Sequence, residues 1–310
     1  MPMVLLAFAG RLLYHLLNTN CERSSMMWAA HPDSRFRFRQ RLTLMILMAV
    51  LATGSTAALA AVPYLDANGK PLPVDTEEEV LEFLRTAKIV SKEKLGEGTN
   101  KSKRKIVLEK DGVRCNAVLR TGYKVVASGD TGFVDSYLSE VAAYELSRLL
   151  GFDNVPAVVR RKGGSIQIWI ENARTLRSIL KQDENPFSEE WVEQQRQVMK
   201  VFDNLIANTD RNPGNILIDD HDKVWFIDHT RSFAGQHELR EPEAITGFDR
   251  DIWQQLQSLP DGTIEEVVGP YVRGYMPELL QRRRLLVDEI SRRIAAEGAD
   301  QFLFTLGQPD

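Results

Sequence analysis

Between Asn208 and Phe233 the chain reads NTDRNPGNILIDDHDKVWFIDHTRSF, and three oxygen-bearing side chains stand out in it. Asp210 and Asn215 have the spacing D-x-x-x-x-N, and Asp228 follows after the strand-like run KVWFI. Phosphoryl transfer needs such donors: a carboxylate to orient a hydroxyl, and hard oxygen ligands for magnesium beside the phosphates. Two other readings fit less of the stretch. An EF-hand calcium loop fails because Gly214 falls at position 5 and His221 at position 12, where a bidentate acid is required. A plain helix end, Pro-Gly turn and hairpin explains Asn208, Asn212, Pro213 and Gly214 as turn formers. It gives no reason for Asp210, Asn215 and Asp228 to converge.

Convergence requires elements that fold the three residues back together. The apolar spacing of Val198, Val201, Phe202, Leu205 and Ile206 predicts a helix from a Ser188 cap to about Ala207, with Phe187 and Val192 as its hydrophobic staple. NILIDDHDKVWFID then predicts a hairpin turning at Asp219 to Asp222. That hairpin brings Asn215 and Asp228 to one end of a two-stranded ribbon. Upstream, RKIVLE and CNAVLR flank Asp111-Gly112, a strong hairpin signal. SYLSEVAAYELSRLLG (136–151) keeps helical spacing, ends on Gly151, and leaves Glu140 off its apolar stripe, free to point into a cleft. NVPAVVRRKGGSIQIWIE (154–171) predicts two strands joined at Gly163-Gly164. Thr76 with Glu79 reads as a capping box, as does Thr263 with Glu266. The Arg282 to Arg284 run is expected on a solvated helix face. Trp169 and Trp225 are expected in the core, and Cys115 reads as a small buried hydrophobe.

The chain of 310 residues is large enough for one big domain or two lobes, and its formal charge of −4 argues against nucleic-acid binding through bulk charge. Its first sixty residues differ from the rest. Arg35, Arg37, Arg39 and Arg41 precede LTLMILMAVLA, and small residues follow to Ala58–Ala60. The pattern predicts a signal peptide over 1–60, cleaved after Ala60, with export to a periplasm, a secretory lumen or the medium. The alternative is an N-terminal anchor, although the apolar run falls short of the ~20 residues of a full span. After cleavage no stable membrane span is expected. Met26, Met27 and Met45 are alternative starts. Removing 1–60 takes away six Arg and two acids, leaving a net charge of −8 and Cys115 as the one cysteine, so no internal disulfide forms. Residues 61–75, rich in Pro and Asp, read as a linker.

The D-x-x-x-x-N spacing matches the protein-kinase catalytic loop, and the wider segment resembles atypical kinases. VFDNLIANTDRNPGNILI and VWFIDHTRSF are similar to the catalytic segment of HipA-like kinases, phosphatidylinositol 3-/4-kinases and secretory-pathway kinases. EVAAYELSRLLGFDNVPAVVRR (140–161), with its Val-Pro after the helix, resembles the secretory-pathway group most. The resemblance covers roughly 95–235. It implies an α+β, two-lobed protein-kinase-like fold, with a small β-rich N-lobe over 76–182 and a mostly helical C-lobe over 183–310. It implies ATP, Mg2+ or Mn2+, and a hydroxyl acceptor in a protein, sugar or small molecule. Asp210 would be the catalytic Asp, and Asn215 and Asp228 would hold metal. Glu140 would anchor the phosphate-binding lysine or help to hold metal, and Lys105 would lie on the strand after the glycine-bearing loop. Backbone amides around Gly96 and Gly98 would cradle phosphate. His229 would make a structural hydrogen bond. One departure stands out: Arg120 occupies the place of the phosphate-contacting lysine, and Arg and Lys are not interchangeable. Either Arg120 serves, or Lys105 or Lys124 substitutes, or the chain is a weak kinase or a pseudokinase that binds nucleotide or a partner.

Overall fold

Two residues at positive φ, Asp111 at 51° and Gly112 at 78°, close the tight turn between the second and third strands of the main sheet. The computed structural model describes residues 64–95, 102–126, 133–182, 187–272 and 274–307. The expected signal peptide (1–60), Gly96 and Gly98 lie outside the described residues. Helix α1 (Glu77–Thr86) precedes β1 (Lys88–Lys94), β2 (Lys103–Lys110) and β3 (Val113–Arg120). After the short hairpin β4 (Tyr123–Val126) and β5 (Phe133–Ser136) come helix α2 (Tyr137–Leu149), β6 (Val158–Arg161) and β7 (Gly164–Ile168). The five longer strands form one antiparallel sheet in the order β1-β2-β3-β7-β6. The turn at Gly163-Gly164 is where the sequence places it. Gly164 meets a spatial demand there: a Cβ on it would collide with the Arg120 carbonyl oxygen of the adjoining strand.

The helices start where their caps require. Thr76 Oγ1 accepts from the Glu79 N–H, and the Glu79 carboxylate accepts from the Thr76 and Asp75 N–H groups. Ser136 Oγ accepts from the Leu138 N–H at the start of α2, and Gly151 at φ 66° follows its end. Within residues 64–75, expected as a linker, Tyr64 and Leu72 are buried, and Tyr64 Oη accepts the Ala157 N–H at 3.0 Å.

The second half is mostly helical. A short strand β8 (Arg174–Thr175) and helix α3 (Leu176–Lys181) lead to α4 (Glu189–Ile206), capped by Ser188 and closed by Ala207 in the left-handed region. Strands β9 (Ile216–Ile218) and β10 (Val224–Phe226) form the expected hairpin, with β8 alongside β9. Its turn is organised by Asp219, whose carboxylate accepts from the His221 and Lys223 N–H groups and from the Trp225 indole. A two-residue strand β11 (Phe248–Asp249) is followed by α5 (Arg250–Ser258), α6 (Asp261–Val272) and α7 (Met276–Glu297). The chain closes with α8 (Ala299–Phe302) and β12 (Leu303–Phe304). Among the described residues, no helix is long and apolar enough to cross a membrane.

Three local expectations change. The staple before α4 stacks Phe187 on Trp191, ring centroids 4.3 Å apart, while Val192 stays exposed; the aromatic pair offers more apolar contact than a valine. Helix α6 begins at Asp261, so Thr263 lies inside it and caps nothing. Arg282 and Arg283 are buried, not solvated. Arg282 donates to the carbonyls of Leu205, Ala234 and Gln236, and Arg283 to those of Leu256, Gln257 and Leu259 and to Asp261. Helix and loop ends in the core leave carbonyls without partners, and an arginine fork supplies several donors at once.

Candidate active site

Side chains alternate across a strand, so Lys103 and Lys105 of β2 share one face of the sheet with Val118 and Arg120 of β3. Arg120 is opposite Lys103 in the register. Like charges placed so close repel unless anions lie between them. Here the anions come from two distant segments. Arg120 Nε lies 3.0 Å from Glu140 Oε1, and its Nη1 lies 3.1 Å from Asp228 Oδ1. Lys103 Nζ reaches Asp228 Oδ2 at 3.3 Å. Strands β2 and β3, helix α2 and the segment after β10 therefore meet at one charge cluster.

Backbone contacts hold the segments in place. The His229 N–H donates to Glu140 Oε1 at 3.1 Å, the Ser136 N–H to the Thr230 carbonyl, and Ser139 Oγ to the Ser232 carbonyl. Asp228 itself has φ 62°, a left-handed conformation that an Asp tolerates better than most residues. Thr230 Oγ1 donates to Asp228 Oδ1 at 3.2 Å. The structural hydrogen bond expected of His229 comes from its backbone; its ring Nδ1 lies 3.5 Å from Glu140 Oε2, fully buried.

Asp210 and Asn215 join from the loop after α4. The Ile227 N–H donates to the Asn215 carbonyl, which sets Asn215 beside the residue preceding Asp228. Asn215 Nδ2 donates to the Asp210 carbonyl at 2.9 Å, so the opposite end of that amide presents its oxygen. Asn208 Oδ1 accepts the Asp210 N–H. Arg211 is the brace: its fork meets both oxygens of Asp203 at 2.9 Å and donates to the Asn215 and Ile227 carbonyls. The Asp210 carboxylate stays accessible, 40% exposed, with Arg231 Nη1 at 3.6 Å.

Electrostatics follow from the cluster. Burial alone would raise the Asp228 pKa; Arg120 first, then Lys103, overcome it and hold that carboxyl well below the usual range. Burial works the same way on Glu140, and Arg120 with His229 brings its carboxyl below the ordinary value. Burial would depress the Arg120 guanidinium, but Glu140 and Asp228 hold it above the usual arginine value. These directions favour the ionised forms of Arg120, Glu140 and Asp228 at neutral pH.

The structure therefore brings Arg120, Glu140 and Asp228 together and ties Asn215 to Asp210. It separates Lys105, whose ammonium lies 4.5 Å from the centre of the Trp169 ring. Lys105 lies on β2 as expected, but Lys103, two residues before it, is the lysine opposite Arg120. Trp225 is a core residue as expected, whereas Trp169 is only half-buried under Lys105. Cys115 is buried, its thiol pushed up to about 12 by burial. Sequence reasoning missed Lys103, Thr230 and the Asp203–Arg211 brace. The eight-residue offset between Asp203 and Arg211 spans a helix end, where spacing carries no fixed signal.

Among the described residues, no group of three or more His, Cys, Asp or Glu side chains is arranged to hold a metal on its own. Magnesium bound with a nucleotide needs only one or two carboxylates besides phosphate and water. Asp228 and Asn215 carry side-chain oxygens of the hard type that magnesium takes. A cavity of about 830 Å3 lies elsewhere, lined by Tyr64, Tyr144, Phe152 and Trp225, and includes none of Asp210, Asn215 or Asp228.

A 66-residue segment of the chain is similar to part of a kinase. It is 43% identical to the 3-deoxy-D-manno-octulosonic acid kinase of Vibrio cholerae, over 21% of this chain. The chain spans about a quarter of that relative's length, 27%. No family model matches the chain. Among solved structures, the Helicobacter pylori proinflammatory kinase CtkA aligns over 68% of this chain and 98% of its own, with 13% identity and a TM-score of 0.45. At that level the likeness fixes neither fold nor activity.

Proposed function

We propose that the chain is an exported, metal-dependent kinase of two-lobed architecture that transfers the γ-phosphoryl group of ATP to a hydroxyl acceptor. The observation that carries this reading is the cluster of Arg120, Glu140, Asp228 and Lys103 next to the loop of Asp210 and Asn215. Two carboxylates and two cations meet where strand face, helix and loop converge, beside the Asp210–Asn215 loop, which suits a polyanionic substrate held with a cation.

In this mechanism Asp228 and Asn215 hold Mg2+ or Mn2+, which supplies charge neutralisation on the phosphate oxygens. Asp210, the accessible carboxylate, accepts a hydrogen bond from the acceptor hydroxyl and aims its oxygen at the γ-phosphorus. The new O–P bond forms as the bond from phosphorus to the β,γ-bridging oxygen breaks. ADP leaves with that electron pair, and the hydroxyl proton passes to Asp210. Arg120 keeps Asp228 and Glu140 in register, and Asn215 fixes the Asp210 backbone. The name of the Vibrio cholerae relative makes an acidic sugar the first acceptor to test.

The test is phosphate transfer from labelled ATP by wild type and Asp210→Asn, with Mg2+ and Mn2+, to sugar, small-molecule and protein acceptors. The variant is expected to lose on the order of 10²–10⁴ in rate and to keep nucleotide binding. Equal inertness of both proteins would overturn transfer. That result, with nucleotide binding retained, would leave a binding module. The second reading has its own observation: Arg120 is buried and committed to two carboxylates.

A further inference from the structure

The two cations opposite each other on β2 and β3 are differently placed. Arg120 is 5% exposed, with Nε on Glu140 and Nη1 on Asp228. It is an organiser fixed from both sides. Lys103 makes one contact with the cluster, to Asp228 Oδ2 at 3.3 Å, and its side chain is 23% exposed. A single ammonium on a four-carbon stem can leave one carboxylate for another anion by rotation, whereas a doubly engaged guanidinium cannot. The Asp228 oxygens are otherwise occupied on one side only: Oδ1 takes Arg120 and Thr230, and Oδ2 takes Lys103. A divalent ion approaching Asp228 therefore meets Lys103 at the oxygen still open to exchange.

Resting on the kinase reading, we propose that Lys103 is a placeholder cation, held on Asp228 until the metal-bound nucleotide arrives and then transferred to its phosphates. Lys103 neutralises Asp228 beside buried Glu140, and it stands opposite Arg120 without repulsion only because Asp228 lies between them. When Asp228 turns to the metal, the lysine is released within a side-chain length of the incoming polyphosphate. It thereby supplies the mobile positive charge that the arginine substitution at 120 withholds. Lys105 is excluded from that role by its seat over Trp169.

The roles have opposite signs, and that makes the test sharp. The full chain is titrated with Mn2+ alone, then with a non-hydrolysable ATP analogue in the presence of Mn2+, for wild type and Lys103→Met. Met keeps the stem and removes the charge. Mn2+ alone is expected to bind about tenfold more tightly to the variant, because no resident cation competes for Asp228. The analogue is expected to bind about tenfold more weakly, one charge-assisted contact being lost. Lys103→Arg should follow wild type more closely in both titrations, and Lys105→Met should match wild type in both. Unchanged nucleotide affinity in Lys103→Met, or weaker binding of Mn2+ alone, overturns the placeholder role. A wild type that binds Mn2+ but no analogue overturns the kinase reading instead. Circular dichroism and the thermal midpoint check each variant's fold; if Lys103→Met does not fold, charge reversal by Lys103→Glu must weaken analogue binding further than Lys103→Met is expected to, or the proposal falls.

Discussion

Arg120 joins two carboxylates that come from chain segments almost ninety residues apart, Glu140 and Asp228. Removing its charge would leave both acids facing each other in a nearly dry site. Arg120→Ala is expected to destabilise the protein by about 3–5 kcal/mol at pH 7, read from urea unfolding. The pH dependence has a definite sign. Glu140 and Asp228 both have folded pKa values below the ordinary one. The stability they contribute is present above the unfolded value of about 4 and is lost as pH falls through the lower folded values. Without Arg120 the largest cause of both depressions is gone, so the gap between wild type and Arg120→Ala should narrow as pH falls from 7 toward about 3. A constant gap across that range would remove Arg120 from the ionic account. At this scale Asp210, Asn215 and Asp228 stand out by residue type and spacing and Glu140 by its place off the apolar stripe of its helix, whereas Arg120 is pointed to only by the resemblance to atypical kinases. Lys103 could not be picked out, because Lys103 and Lys105 lie on the same strand face and only the β2–β3 register distinguishes them.

Helices and hairpins were legible because their signals are local. Caps at Thr76 and Ser188, the Asp111-Gly112 turn and the 216–226 hairpin fall where the letters put them. What was not legible depends on tertiary need. Three adjacent arginines on an amphipathic helix read as a wet face, yet α7 turns two of them inward to serve carbonyls on α4, α5 and the following loops. Arg282→Met is expected to cost about 3 kcal/mol or more, since it strands several buried carbonyls. Arg284→Met should stay within about 0.5 kcal/mol, because that side chain is 61% exposed. Equal losses for the two in thermal unfolding would mean that α7 is held by apolar packing alone. The Phe187–Trp191 stack is a smaller instance: the staple expected from position fell to the larger ring one residue earlier.

At the scale of the molecule, four strands of the five-stranded sheet and the helical second half follow the order that the strand and helix signals implied, while β1 (Lys88–Lys94) was not anticipated. The proposed export predicts that the chain recovered outside the cytoplasm begins at Ala61, checked by N-terminal sequencing. A chain that keeps residues 35–60 and stays with the membrane fraction would replace export with anchoring. Tyr64 would then lie three residues from the new terminus, already pinned through its hydroxyl to the Ala157 N–H. The packing of β7 against β3 has a further consequence, for the gene. Every amino-acid replacement one base away from a glycine codon carries a Cβ, and at Gly164 that atom would strike the carbonyl of Arg120. Mutational drift at position 164 is thus closed off by the backbone of the same strand that delivers Arg120 to the charge cluster, so the hairpin's freedom to vary is limited by the strand it packs against.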